Sequence, residues 1–279
     1  MKIVNLLDIS GFIYRVFYAY PSLTYNGLEV GALYGYSRTM LDLIKRFPSA
    51  MFIAAFDSAR KTFRNEMYSD YKSNRKSMPD ALRSQIPLIK EATYHFGFYM
   101  VEHSGSEADD IIASYVKKLK GGDFVINVMS SDKDLMQLLD SDNNVNIYDP
   151  VKQKTITSQY VFEKFGVNDP KKIADILALS GDASDNIPGC PGIGPKTAAS
   201  LINEYGNLKN LIDNIEKLPN SKKFDVLRDN VDKVLLSEKL VKLQNDIELN
   251  FEYKQNIYNN LIEFFNKFEF DSLIKKVYV

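Results

Sequence analysis

The sequence of 279 residues has little of several residue types, and each shortage excludes a class of protein. Cysteine occurs once, at Cys190, which excludes an internal disulfide framework and indicates a reducing compartment such as the cytoplasm. The two histidines, His95 and His103, are too few and too far apart in the sequence to suggest a catalytic pair. No run approaches the roughly 18 apolar residues of a membrane helix, and the first apolar run meets charge too soon for a signal peptide. We therefore expect a globular cytoplasmic protein without a membrane partner.

The formal net charge of −1 conceals an uneven distribution of the charged residues. Nine acidic residues fall in five short clusters, and the other 27 acids face 35 lysines and arginines, which leaves +8 outside the clusters. The clustered acids are Asp8, Asp57, Glu107, Asp109, Asp110, Asp132, Asp134, Asp182 and Asp185. A basic surface around an acidic pit suits a polyanion that is held by its phosphates.

Short apolar runs rich in β-formers alternate with helical patterns in the first half of the chain. We predict strands near 3–8, 51–57, 98–101, 124–130 and 145–149, with helices near 31–46, 80–95, 107–120 and 133–140. This alternation predicts an open, mostly parallel α/β sheet. A hairpin at 149–157 would join it to a second part, from about residue 160, that contains only short helices.

Several acidic clusters directly follow predicted strands. Asp8, Asp57 and the pair Asp132 and Asp134 lie at three strand ends, where open α/β sheets bind their ligands. Five clusters at one edge repel one another unless cations are bound, and oxygen ligands without histidine or cysteine favour Mg²⁺ or Mn²⁺. Each cluster taken alone could instead cap a helix. Capping leaves Asp110 and Asp134 without a role, so the metal interpretation is favoured.

The segment 60–76 combines positive charge with aromatic residues. Its six cations and two acids give +4 across 17 residues, and three aromatic residues lie between them. The cations are Arg60, Lys61, Arg64, Lys72, Arg75 and Lys76, and the aromatic residues are Phe63, Tyr68 and Tyr71. This composition is typical of segments that bind single-stranded nucleic acid. The alternative is a solvated loop, but the position after Asp57 favours a functional role.

The glycine-rich stretch 189–202, GCPGIGPKTAASLI, has three possible interpretations. A P-loop is excluded because Pro195 separates Gly194 from Lys196, and a dinucleotide fingerprint lacks its third small residue and its βαβ context. A glycine hairpin between two helices fits better. Gly192 and Gly194 would permit the tight turn, and the amides at the start of the next helix could bind a phosphate beside Lys196. A plain helix–helix turn is the alternative.

Seven phrases of the sequence resemble, in order, the 5′-nuclease (flap endonuclease) family, and most of all the 5′–3′ exonuclease domain of bacterial DNA polymerase I. They are LLDISGFIYR, AAFDSARKTFR, YKSNRK, GSEADDIIA, SSDKDLMQLL, LSGDASDNIPGCPGIGPKTA and FNKFEFDSLIKK. The resemblance covers practically the whole chain. It leaves open whether the nuclease is free-standing or part of a longer polymerase.

The resemblance implies a PIN-like α/β core over 1–166, with a basic arch at about 58–80. It also implies a helical domain over 167–279 that contains a helix-hairpin-helix able to bind K⁺. All nine clustered acids match the metal-site acids of the family, so two Mg²⁺ or Mn²⁺ ions are expected. Asp8, Asp57, Glu107 and Asp109 would lie nearer one ion, and Asp132, Asp134, Asp182 and Asp185 nearer the other.

The resemblance also implies cleavage of DNA at 5′ flaps or ends by a monomer, in replication and repair, including removal of Okazaki primers. Lys72 and Arg75 would be catalytic cations. The residues expected to contact DNA are Arg15, Arg64, Tyr71, Gly192, Gly194, Lys196 and Thr197.

Two alternatives are a non-catalytic module that binds DNA junctions and an aspartyl phosphatase. The phosphatase is disfavoured because Ile9 and Ser10 follow Asp8, where a D-x-D motif is required.

Overall fold

The computed structural model describes residues 1–20, 23–139, 144–150 and 152–278. The strands are β1 (Lys2–Asp8), β2 (Thr24–Tyr25), β3 (Leu28–Glu29), β4 (Met51–Phe56), β5 (Tyr99–Glu102), β6 (Phe124–Met129), β7 (Val145–Asp149) and β8 (Lys154–Ile156). The helices of the first half are α1 (Ile9–Ala19), α2 (Gly31–Arg46), α3 (Phe63–Met67), α4 (Asp80–Arg83), α5 (Ile86–His95) and α6 (Ala108–Leu119). Those of the second half are α7 (Ser158–Phe165), α8 (Lys172–Ser180), α9 (Pro195–Tyr205), α10 (Leu208–Asp213), α11 (Lys222–Asp229), α12 (Val231–Val241), α13 (Leu261–Asn266) and α14 (Asp271–Val277). Short 3₁₀ helices occur at Asp134–Leu138 and Ile215–Lys217.

Six strands form one sheet in the order β5-β4-β1-β6-β7-β8. Five of them run parallel, with Val4 of β1 beside Met51 of β4 and Ile126 of β6. The last strand, β8, pairs antiparallel with β7, so that Asp149 lies opposite Lys154. The predicted mostly parallel sheet and its terminal hairpin are therefore confirmed, although residue 151 of that hairpin lies outside the described residues.

Both faces of the sheet are buried, and alternate residues of each strand supply the two cores. In β4, Met51 and Ile53 face the core that contains α6, whereas Phe52 and Phe56 face the core that contains α1, α2 and α5. Burial on both faces is typical of parallel strands connected by helices. It explains why MFIAAF appears in the sequence as a continuous apolar run and not as an alternating one.

Three helical predictions differ from the structure. Helix α1 follows β1 without a break and was not predicted, because its apolar residues continue those of the strand. The helix predicted at 133–140 is a 3₁₀ helix at Asp134–Leu138, and residue 140 lies outside the described residues. The predicted helix at 80–95 is divided into α4 and α5.

The second half of the chain contributes to both cores. Buried residues of α8, α9 and α12, such as Ile176, Leu201 and Leu240, continue the core beneath α6. After residue 243 the chain returns to the sheet, and Phe264 and Phe265 of α13 enter the opposite core. The predicted boundary at 166/167 lies between α7 and α8, and the buried residues on its two sides belong to shared cores. No helix in the described part of the chain is long and apolar enough to span a bilayer.

Candidate functional site

Six of the nine clustered acids line one cavity of about 260 Å³ at the carboxyl edge of the sheet. Asp8 ends β1, whereas Asp57 and Asp132 follow β4 and β6, so the parallel strands bring three of them together. The other three are Glu107 and Asp109, at the start of α6, and Asp185, in the loop after α8. The remaining lining residues are Ser10, Gly11, Tyr14, Lys72 and Arg75.

Asp8 is held firmly at this edge. Its carboxylate accepts hydrogen bonds from the Gly11 amide, at 3.1 Å, and from Ser130 Oγ, at 2.8 Å. A Cβ atom at position 11 would lie 2.5 Å from Asp8 Oδ2, so only glycine permits this contact. Burial raises the pKa of Asp8 to about 6, and the charges of Asp57 and Asp132 add to the rise. The carboxylates are therefore close enough to repel one another.

Two further acids have raised pKa values for the same reasons. Burial, together with the charges of Asp8 and Asp132, raises the pKa of Asp109 well above its usual range. Burial, together with the charges of Asp132 and Asp182, raises the pKa of Asp134 to about 8. Asp134 Oδ1 is also buried without a hydrogen-bond partner. A buried carboxyl oxygen without a hydrogen-bond partner is costly, and a bound cation would remove that cost.

Lys133 supplies a positive charge that the sequence analysis did not identify. Its Nζ lies 2.9 Å from Asp182 Oδ2, while Ser184 Oγ donates to Asp182 Oδ1 at 2.7 Å. Burial alone would raise the pKa of Asp182, but these hydrogen bonds outweigh burial and lower it. In the sequence, Lys133 lies between Asp132 and Asp134, and this position could have indicated that it pairs with the clustered acids.

The two predicted catalytic cations lie at the cavity. Lys72 Nζ is 3.0 Å from Glu107 Oε2 and 3.8 Å from Asp185 Oδ2, and Arg75 pairs with Asp185. The Lys72 amide donates to the Asp185 carbonyl at 2.9 Å, and Asn74 donates to the Ala183 carbonyl at 2.6 Å. The segment from Lys72 to Arg75 is thus docked on the loop that follows α8. The side chains of Lys72 and Arg75 are 25% and 51% exposed, so both can be reached from solvent.

The donor set fits hard divalent cations. The acids that line the cavity offer carboxylate oxygens, and Asp134 Oδ1, outside this lining, is buried without a hydrogen-bond partner. As the side chains stand, no group of three or more acidic, histidine or cysteine residues in the described ranges encloses an ion site. Glu107, Asp182 and Asp185 are instead paired with lysine or arginine. Metal binding by Glu107, Asp182 and Asp185 would require these ion pairs to rearrange.

Arg64 and Asp110 do not lie where they were predicted. Arg64 is 2% exposed, and its guanidinium makes two hydrogen bonds to Asp110, at 2.7 and 2.8 Å. Asp110 is 0% exposed and does not line the cavity. We therefore correct the prediction for Arg64, which is too buried to contact DNA in this structure. Asp110 is its buried ion-pair partner and, like Asp134 and Asp182, does not line the cavity.

Tyr71, predicted to contact DNA, is 4% exposed. Its hydroxyl donates to Glu107 Oε2 at 3.1 Å and lies 3.4 Å from Asp185 Oδ2. Its ring is buried in the core, so this prediction is also corrected. Tyr14 of α1 lines the cavity instead, and Tyr18, one turn further along α1, is exposed. The i, i+4 spacing of these tyrosines places both on one side of a helix, but helix α1 was not predicted from the sequence.

Arg15, also on α1, contacts the loop that carries Asp132. It donates to Ser131 Oγ and lies 3.7 Å from Asp149 Oδ1. Its side chain remains partly exposed at the rim of the sheet edge. A DNA contact by Arg15 stays a prediction.

The glycine hairpin between two helices is present, between α8 and α9. Gly192 has a φ of 77°, a conformation that L side chains rarely adopt, and Gly194 is the N-cap of α9. Ile193, between the two glycines, is buried and anchors the turn. Lys196 is exposed, and Thr197 partly exposed, in the first turn of α9. The turn therefore presents backbone amides and a lysine to solvent.

Two family models together match nearly the whole chain. The model of the 5′-3′ exonuclease N-terminal resolvase-like domain matches residues 3–166, and that of the C-terminal SAM fold matches residues 168–262. The chain belongs to the 5′–3′ exonuclease family. It is 39% identical to a 5′-3′ exonuclease of Aquifex aeolicus, over 99% of this chain and 96% of that protein. It is also 39% identical to DNA polymerase I of Rhizobium leguminosarum, over 98% of this chain but 28% of the polymerase.

Solved structures share this fold. The T5 5′-exonuclease with bound zinc superposes with a TM-score of 0.73 at 25% identity, covering 87% of this chain and 90% of that one. A T5 D15 flap endonuclease complex with DNA and metal ions gives 0.73 at 22% identity, over 99% and 96% of the two chains. The catalytic core of Rad2 with DNA substrate gives 0.63 at 16% identity, over 99% and 90%. As a member of the 5′–3′ exonuclease family, this chain is a 5′ nuclease.

Proposed function

We propose that this 5′ nuclease hydrolyses DNA phosphodiesters near a 5′ end or a single-strand/duplex junction, with two divalent cations, Mg²⁺ or Mn²⁺, held by its clustered acids. The observation that carries the proposal is the cavity at the carboxyl edge of the sheet. It brings six acids from separate segments beside Lys72 and Arg75. The metal ions and DNA present in structures of the T5 enzyme support it.

The acids would divide between two metal positions. Asp8, Asp57 and Asp109 repel one another, and Asp182 and Asp185 repel Asp134, which supports two groups. Asp132 repels members of both groups. With Glu107, these residues would hold the pair of ions. When bound, such a pair supplies an activated water and a clamp for the attacking and leaving oxygens.

Lys72 and Arg75 would contact the scissile phosphate. Both side chains are exposed in part, and both now pair with acids of the cavity. A DNA phosphate bound at the cavity would offer Lys72 and Arg75 a negatively charged partner in place of these acids. Their cationic groups would then neutralise the charge that develops in the transition state.

The hairpin and α1 would hold the rest of the DNA. The exposed amides around Gly192 and Gly194, with Lys196 and Thr197, suit a duplex phosphate away from the cut, and K⁺ binding at this turn remains part of the proposal. Tyr14 at the cavity is placed to contact a base near the cleaved bond. The enzyme is proposed to act as a monomer.

A cleavage assay tests the proposal. A 5′-labelled flap duplex, a blunt duplex and an RNA-primed duplex would each be incubated with the protein, with and without Mg²⁺, and the products sized. We expect Mg²⁺-dependent products with 5′-phosphate and 3′-hydroxyl ends, consistent with primer removal in replication and repair. DNA binding without cleavage in any metal would instead support a non-catalytic junction-binding module.

A further inference from the structure

The buried Asp110 carboxylate has its hydrogen-bonding capacity filled by the protein. Asp110 Oδ1 accepts from Arg64 Nη2, at 2.8 Å, and from the Gln244 amide, at 2.9 Å. Asp110 Oδ2 accepts from Arg64 Nη1, at 2.7 Å, and from the Glu107 amide, at 3.3 Å. A carboxylate has about four acceptor positions, so none remains for a metal ion.

The same ion pair contacts Glu107 twice. Asp110 binds the backbone amide of Glu107, which is the N-cap of α6, and Arg64 Nη1 lies 3.5 Å from Glu107 Oε2. Glu107 is the residue of this group that lines the metal cavity. The pair thus constrains both the backbone and the carboxylate of a candidate ligand without reaching the cavity itself.

Arg64 also binds the end of α12. Its Nε donates to the Leu240 carbonyl, at 2.8 Å, and its Nη2 to the Lys242 carbonyl, at 3.1 Å. Carbonyls at the end of a helix lack partners within the helix, so these contacts satisfy groups that would otherwise be unpaired. Arg64 therefore links α3, α6 and α12 at one buried point.

We propose that Arg64 and Asp110 are positioning residues that hold Glu107 in place for metal binding, and that Asp110 is not a metal ligand. The inference rests on the proposed metal-dependent function. Buried ion pairs contribute little net stability compared with an apolar pair of similar size, so specific geometry is the better-supported role. Groups that orient metal ligands in this way commonly change metal affinity by 10- to 100-fold when they are altered.

Titration calorimetry with Mn²⁺ alone, without DNA, tests the role on the full chain. The variants are Arg64→Lys and Asp110→Asn, each in the wild-type and in the Glu107→Gln background. We expect each single change to weaken Mn²⁺ binding by about 10-fold. In the Glu107→Gln background the same changes should have little further effect, because they act through Glu107.

A matched control is Arg228→Lys. Arg228 donates to the Leu218 carbonyl, at 2.6 Å, and to Asp225, at 2.8 Å, so its bonding resembles that of Arg64. It does not line the metal cavity. We expect Arg228→Lys to change thermal stability and to leave Mn²⁺ affinity at the wild-type value.

Three outcomes would overturn the inference. The first is unchanged Mn²⁺ affinity in Arg64→Lys and Asp110→Asn. The second is an equal loss of affinity in both Glu107 backgrounds, because Asp110 would then act as a ligand or through general disruption. Circular dichroism checks that each variant is folded. If Arg64→Lys is unfolded, the test rests on Asp110→Asn, because that change keeps the shape of the side chain. The third is a wild-type chain that binds no Mn²⁺, which would also refute the proposed function.

Discussion

The hydroxyl of Tyr71 provides a sharp test of how the acidic cavity is held together. It is buried between Glu107 and Asp185, at 3.1 and 3.4 Å from their carboxylate oxygens. Burial and the charge of Glu107 raise the pKa of Tyr71 above its usual value, so the hydroxyl remains a donor. The variant Tyr71→Phe removes this donor and keeps the ring in the core.

The expected magnitude follows from the strength of that hydrogen bond. Bonds to charged acceptors contribute about 1.5–3 kcal/mol, and Lys72 still pairs with Glu107 in the variant. We expect the free energy of unfolding of Tyr71→Phe to fall by about 1–2 kcal/mol, which lowers the melting temperature by about 2–6 °C. A looser Glu107 should lower kcat/KM for flap cleavage by about 10-fold, equivalent to about 1.4 kcal/mol.

Calorimetry and single-turnover cleavage of a labelled flap measure the two quantities. The control is Tyr115→Phe. The buried Tyr115 hydroxyl donates to the Asn250 carbonyl, at 2.9 Å, and Tyr115 does not line the acidic cavity. It should lose similar stability and keep wild-type cleavage. Wild-type stability and cleavage in Tyr71→Phe would refute the reasoning, since a base-stacking tyrosine can be replaced by phenylalanine at little cost.

Further predictions concern the acids, the cations and the hairpin. Asp132→Asn should abolish cleavage but leave junction DNA binding measurable by mobility shift, and retained cleavage would remove Asp132 from the metal site. Lys72→Ala should lower kcat on the order of 100-fold and affect DNA affinity far less; equal losses in both would make Lys72 a backbone contact. Lys196→Ala should weaken duplex binding and reduce its salt dependence by about one phosphate contact, and an unchanged salt slope would contradict the role of the hairpin. Mg²⁺ at about 100 times its dissociation constant should stabilise the fold by about 2.7 kcal/mol, measured as a rise in melting temperature that Asp132→Asn reduces.

The general position of the acidic site could be predicted from the sequence. Asp8, Asp57 and Asp132 come directly after apolar runs, and parallel strands place such ends at one edge of a sheet. The glycine hairpin could also be predicted, because Gly192 and Gly194 occur between two helical patterns. Each prediction rests on a local pattern, which is an acid after an apolar run in one case and two glycines between helical patterns in the other.

The burial of Arg64 and Tyr71 could not be predicted in this way. Both residues occur in a basic, aromatic segment whose composition is typical of an exposed nucleic-acid contact. Their partners, Asp110 and Glu107, lie 46 and 36 residues further along the chain, so only the fold brings them together. The expectation that helix capping leaves Asp110 without a role was wrong, because Asp110 accepts from the amide of Glu107, the N-cap of α6, and also pairs with Arg64.

The return of the chain to the sheet after residue 243 has a consequence for how the protein folds. The strands are synthesised first, but Phe264 and Phe265 complete the core on one of their faces. Until these residues leave the ribosome, the parts of α2 and α5 that pack against α14 and α13 lack this cover, and contacts between such distant positions form slowly. During its own synthesis, therefore, the nascent sheet is a potential client for chaperones.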